Sequence, residues 1–328
     1  PAALRGLAPA SLAALNDEQL QAFASEQISN LNSTQLLALD SRQLPIFIGE
    51  DLAALSTSML RVIDGDRFSA FDVSQLQALR TAQVASLSSQ ALLTLDATEL
   101  NALSTEQLGA LSSAQIRFIE PTELAGLNAS SLGALSTQVI RGFSTEQIEL
   151  LTAEQLQGFS TNQLLSLSAG QLAAIETDDL NALFAEQLGV LGSAQFAALS
   201  TAQIASITPS NVIVLNTSAL AGLGTDDISV LQAGQIAEFT SQQLAVLGTQ
   251  HAAGWSPEQL SVLLPQHVYG LSTALLARLS SEQISGFGYD QVLGLGTHQL
   301  RSLSTAAVSA LATDAIADLN SDQLSAFS

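Results

Sequence analysis

From Leu7 onward, every eighth residue of the chain is Leu, Phe, Ile or Trp, and this continues without exception to Phe327. A second apolar position follows five residues after the first, so large side chains recur at alternating spacings of five and three. "LSTEQLGA", residues 103–110, shows the pattern, with Leu103 at position one of the octad and Leu108 at position six. Forty complete octads run from Leu7 to Ala326 with no insertion or deletion, and position six is apolar in all forty, with Ala252 the single small one. Such a repeat governs the fold.

A continuous α-helix does not fit. Eight residues at about 100° each advance the chain by about 800°, so the apolar pair would drift around the whole surface. A continuous strand would send positions one and six to opposite faces. The polar positions supply a third reading. Position two is Ser, Thr, Asn or Asp in 25 of 40 copies and Gly in five more, which is the helix N-cap preference. Position five is Gln in 22 copies, completing a capping box, and positions one and six then fall at the two ends of a hydrophobic staple.

Other residues agree with this register. Six of the seven prolines, Pro1, Pro9, Pro121, Pro209, Pro257 and Pro265, occupy position three, the first helical position, where proline is tolerated. Of the thirty acidic residues, 27 lie at positions two to five, near the positive end of a short helix. Arg5, Arg61, Arg117, Arg141, Arg278 and Arg301 lie at positions seven and eight. Pro45, at position seven, predicts a distorted turn. Each octad is thus expected to be a capped helical stub of about five or six residues. Helices below about 12 residues are marginal alone, so stability must come from stacking. The expected fold is all-α: one continuous solenoid of short capped helical turns spanning residues 1–328. Position-one phenylalanines hint at a coil of three octads, and a coil of two octads stays open.

Composition narrows the function. Charged residues make up 12% of the chain, there is no cysteine, and the net charge is −21. Disulfides and thiolate metal sites are excluded, and nucleic acid and anionic membranes would be repelled. No apolar run of about 18 residues suggests a membrane span. The chain opens in mid-pattern at Pro1, which suggests a mature or excised segment.

Candidate chemistry is sparse. His251 and His267 share position five and would stack in a two-octad coil, where a metal pair is conceivable; both also stand where the capping Gln usually does, and that structural role is preferred. His298 falls at exposed position four. Asp178 with Asp179, Asp226 with Asp227, and Asp64 with Asp66 could offer calcium oxygens, but charge compensation at helix ends accounts for the same residues. Trp255, at position one, is expected in the core, and Tyr269 and Tyr289 at the surface. No catalytic, cofactor or metal site is expected, and an enzyme would normally interrupt its repeat to build one.

Segments such as "ALSTEQLGALSSAQI" and "GFSTEQIELLTAEQLQGFSTNQLLSLSAGQL" resemble the LSTxQLxAL-type arrays of very large secreted or surface, adhesin-like proteins of Gram-negative bacteria. The resemblance covers essentially the whole chain. It implies an extracellular or cell-surface structural or adhesive role. The uninterrupted repeat is itself expected to serve as a rod, stalk or head-to-tail filament, and its in-phase ends without polar capping repeats suggest copies of itself or flanking repeats as partners. A solenoid that binds a protein or glycan is the alternative.

Overall fold

The computed structural model describes residues 2–327. Among them there is no strand, and the chain is a succession of α-helices of four to six residues with three short 3₁₀ helices. Its contacts form two compact units, Pro1–Leu167 and Ser168–Ser328. Each is an all-α solenoid of short helices.

The capping argument holds at the level of atoms. In the helix Thr105–Gly109 the Ser104 side chain accepts from the Gln107 N–H at 3.2 Å, while Gln107 Oε1 accepts from the Ser104 N–H at 2.8 Å. Pro9, Pro121, Pro209, Pro257 and Pro265 each open a helix; Pro1 lies outside the described residues. Around Pro45 the helix is replaced by a turn and the 3₁₀ segment Leu44–Ile46. Octad 111–118 has no proline and shows the same substitution, with a 3₁₀ helix at Ile116–Phe118, so proline is not required for it.

Both units answer the coil question in the same way. In the first, Gln83 Nε2 donates to the carbonyls of Leu52 and Leu55 at 2.8 and 2.9 Å. In the second, Gln235 donates to Ile204 and Ile207, both at 2.8 Å. The partners lie 31 and 28 residues earlier, at positions six and one, which places octad upon octad three copies apart. The coil is therefore three octads long and three-sided; the two-octad coil is ruled out. Phe23, Phe47 and Phe71, at position one of every third octad, share one side of the first unit.

Burial shows which way each apolar row faces. Position one is buried from Leu31 to Leu319, but Leu7, Leu15 and Phe23 are only half-buried. Position six is buried from Leu12 to Leu300, but Val308 and Ile316 are half-buried and Leu324 is 47% exposed. Apart from Phe327, which ends the position-one row and is 36% exposed, the exceptions are the first three of one row and the last three of the other. Position one therefore packs toward the preceding coil and position six toward the following one. Position four is exposed throughout, and position seven mostly so.

The small residue at position eight has its own cause. A Cβ added to Gly142 would lie 2.4 Å from the Ser113 carbonyl oxygen, and one added to Gly286 would lie 2.2 Å from that of Pro257. At these two sites position eight rides on position three of the coil below, with little space for a side chain.

Candidate functional site

The dominant chemistry of the molecule is the position-five glutamine, which performs two tasks at once. Its carboxamide oxygen closes the cap of its own helix and its nitrogen bonds the coil before. Gln155 is representative: Oε1 accepts from the Thr152 N–H at 2.8 Å, and Nε2 donates to Ala125 and Leu127 at 2.7 and 2.6 Å. The sequence displayed only the first task. A capping box accounts for the glutamine completely, so the repeat gave no sign that the amide nitrogen reaches another coil.

Where position five is not glutamine, the substitute shows what the junction needs. Arg67 donates through Nε to the Leu39 carbonyl at 2.8 Å, the same carbonyl row of the preceding coil. Carboxylates cannot donate, so they reverse the direction of the contact. Asp51, buried, accepts from the Ser25 hydroxyl at 2.7 Å, and Glu123 accepts from the Ala97 N–H at 2.8 Å. Val139 and Leu275 give up the polar contact and are buried as apolar residues.

The acidic candidates are occupied by helix ends. Asp64 accepts from the Arg67 N–H at 3.0 Å and pairs with the Arg67 guanidinium, while Asp66 lies in the first turn of the same helix. Asp178 and Asp179 lie in the first turn of Thr177–Asn181, and Asp226 and Asp227 in that of Thr225–Ser229. Asp227 Oδ2 accepts from the Gly224 N–H at 2.7 Å. Among the described residues, no three or more His, Asp or Glu side chains gather in a group that could hold a metal ion. Nor is any helix among them long and apolar enough to cross a membrane.

Position-seven arginines do not only face their own helix ends. Arg117 Nε donates at 3.1 Å to the Gly142 carbonyl, one coil further on. Asn101 makes the equivalent bond to Gly126 at 2.9 Å.

His251 is fully buried and His267 nearly so, and each accepts a backbone N–H through Nδ1, from Gly248 at 2.9 Å and from Leu264 at 3.3 Å. With three octads to a coil, they sit on two sides of one coil instead of stacking. Trp255 is buried in the apolar core beside the small Ala252. Tyr289 is exposed and its hydroxyl donates to Asp318, whose carboxylate raises the phenol's pKa. Tyr269 is 71% exposed and lines a shallow groove with Leu271, Gly296, Thr297 and His298. Phe184 and Ile213, at 52% and 54% exposure, are surface apolar residues that octad position alone did not single out.

The model of the ALTTAQ repeat matches residues 124–161 and again 172–209. Both matches begin at position six and end at position three, and their starts are six octads apart, a whole number of three-octad coils. No curated protein matches the chain. The two matched segments are similar to the ALTTAQ repeat, which supports placing the octads within a repeat family.

Proposed function

We propose that the protein is a structural repeat array whose work is mechanical: it supplies length and stiffness as a rod, stalk or filament outside the cell. The observation that carries this reading is the glutamine rung, which in each unit ties coil to coil through one amide nitrogen bonded to carbonyls at positions six or seven and one of the coil before. Solenoids of this kind gain stability from nearest-neighbour stacking, so they extend without a change of design. The resemblance to adhesin-like arrays of Gram-negative bacteria supports a bacterial cell-surface or matrix setting.

The partner in this reading is another coil, from flanking repeats or from a second copy. Gln19 and Gln27 close their own caps, at 3.0 and 2.9 Å, and their Nε2 atoms make no bond among the described residues. At the other limit of the chain, Leu324 presents its position-six side chain to solvent. Electron microscopy of the purified chain tests the proposal. Elongated particles or filaments are expected, and uniformly compact particles would overturn it.

A second reading is a binding module, favoured by the exposed Tyr269 beside His298 in the groove described above. Glycan or peptide binding that disappears in Tyr269→Ala without loss of helix content would establish it.

A further inference from the structure

We propose that residues 247–270 form a pH-sensitive joint in the second unit: His251 and His267 replace two of the three glutamines that tie this coil to the one before it, and their protonation loosens that junction while neighbouring glutamine junctions hold.

The argument starts from what position five requires. It needs one acceptor, for the N–H at position two, and one donor, for the carbonyls of the preceding coil. A carboxamide offers both and gains no proton near neutral pH. A neutral imidazole also offers one of each, but an imidazolium offers only donors. Both histidines use Nδ1 as the acceptor, toward Gly248 at 2.9 Å and Leu264 at 3.3 Å, which places the ring proton on Nε2. The Gly248 and Leu264 N–H groups have no other acceptor among the described residues, so they depend on the imidazoles. Adding a proton at Nδ1 would set N–H against N–H and bury a charge. Between the histidines, Gln259 keeps the ordinary rung, donating to Ile228 and Leu231, both at 2.9 Å.

The joint is weaker than a glutamine junction even when neutral. His251 Nε2 is buried and makes no hydrogen bond of normal geometry, although the Leu220 and Leu223 carbonyls, at positions six and one of the preceding coil, lie on its side. The same octad carries Ala252 where a large residue is usual, and it folds as the 3₁₀ helix Thr249–Gly254.

Charged groups around the rings do not rescue the protonated form. The helix Thr225–Ser229, packed against His251, carries Asp226 and Asp227, and Asp227 is engaged with Gly224. The other neighbour, Thr273–Leu276, has no charged residue and is followed by Arg278, which opposes a second cation. His267 lies on the helix Pro265–Gly270, packed against Ser241–Ala245, which has no charge, and against Tyr289–Leu293, which holds Tyr289 and Asp290. Glu238 favours the charged form of His267, but burial outweighs it. Burial is the largest influence on both rings and lowers the pKa of each. A base whose pKa is lowered on folding is protonated first in the open state. Its stabilising contribution is therefore present above the ordinary histidine value, about 6.5, and is lost as pH falls below it.

Amide hydrogen exchange at pH 7.5 and 5.5 tests this, on the full chain and on the His251→Gln/His267→Gln double variant, with intrinsic exchange rates divided out. Most Asp and Glu stay ionised over this interval, which isolates the imidazoles. In the native chain, protection across residues 248–270 should fall at least tenfold more than across residues 143–166. In the double variant the two regions should respond alike. Equal responses in the native chain, or the same excess loss in both proteins, would overturn the proposal. Imidazole ¹⁵N spectra at pH 7.5 give an independent check. Both rings should carry the proton on Nε2, and a proton on Nδ1 of either would sink the mechanism.

Discussion

Residues 143–166 in the first unit and residues 247–270 in the second are each three octads long, and each rests on the coil before it. In the first, Gln147, Gln155 and Gln163 all bond the preceding coil, and Ser144, Thr152 and Ser160 all cap their helices through the side chain. In the second, position five reads His251, Gln259 and His267, and position two reads Gly248, Ser256 and Leu264, with only Ser256 capping through its side chain. The apolar rows are buried in both. What differs is the polar layer, and the difference separates two contributions. Apolar stacking makes an octad fold at all, while the polar layer fixes how tightly and how uniquely each coil sits on the last.

The largest effect in this comparison should come from the layer the two coils share. Leu156→Asp places an unpaired carboxylate at a fully buried site, and Leu260→Asp does the same in the histidine coil. Each should cost more than about 4 kcal/mol, the range where single substitutions become exceptional. Thermal unfolding followed by circular dichroism would show it, and a mild effect at either site would mean that position six is not the core row.

The next effect should separate the coils. Gln155→Ala removes a cap acceptor and leaves the Ala125 and Leu127 carbonyls without their donor, a loss of about 1–3 kcal/mol for buried groups left unsatisfied. His251→Ala removes the acceptor for Gly248 but no donor bond of normal geometry, so it should cost clearly less at pH 7.5. Denaturant midpoints of the two variants compare them directly. Equal losses would show that the nitrogen-to-carbonyl rung contributes little and that the cap is the main function of position five.

Much of this difference was hidden in the sequence for a physical reason. The capping box is local, set within four residues, so Ser104 and Gln107 announced it. The rung is non-local, and the glutamine that makes it was already explained. Coil length was equally obscure, because a regular octad fits two or three copies per turn equally well. Only the position-one phenylalanines of the complete octads hinted at three, six of seven (Phe23, Phe47, Phe71, Phe143, Phe239 and Phe287, but not Phe159) lying whole multiples of three octads apart. The small residue at position eight was visible as a preference, but its cause, contact with the backbone of the preceding coil, belongs to the stacked form alone. His251 and His267 were read correctly as stand-ins for the capping glutamine, yet their shared coil depended on the coil length.

Smaller effects should follow at the caps. Ser144→Ala removes an oxygen that accepts from the Gln147 N–H at 3.1 Å, and should cost about 1 kcal/mol, as loss of an N-cap does. Gly248→Ser runs the other way in the histidine coil. Its backbone is extended, as an N-cap requires, and a serine there should add a few tenths of a kcal/mol. If Gly248→Ser instead destabilises the chain, the Gly248 N–H contact with His251 is too tight to share its site with a capping oxygen.

The smallest effect belongs to position four, where the two coils should stop differing. Asn162 and Gln266 are both exposed, in the first turn of their helices, and make no side-chain hydrogen bond among the described residues. A carboxylate at such a site gains from the helix N-terminus, by about 0.3–1 kcal/mol in a full-length helix and less in a single turn. It also meets a protein that already carries a net charge of −21, and that repulsion offsets part of the gain. Asn162→Asp and Gln266→Glu should therefore each change stability by less than about 0.5 kcal/mol at moderate salt, as exposed substitutions usually do. Low salt should lengthen the range of repulsion and move both variants toward destabilisation together. If Asn162→Asp is neutral and Gln266→Glu is not, the added charge is reaching His267, and the polar layer of the histidine coil extends further toward the surface than its burial indicates.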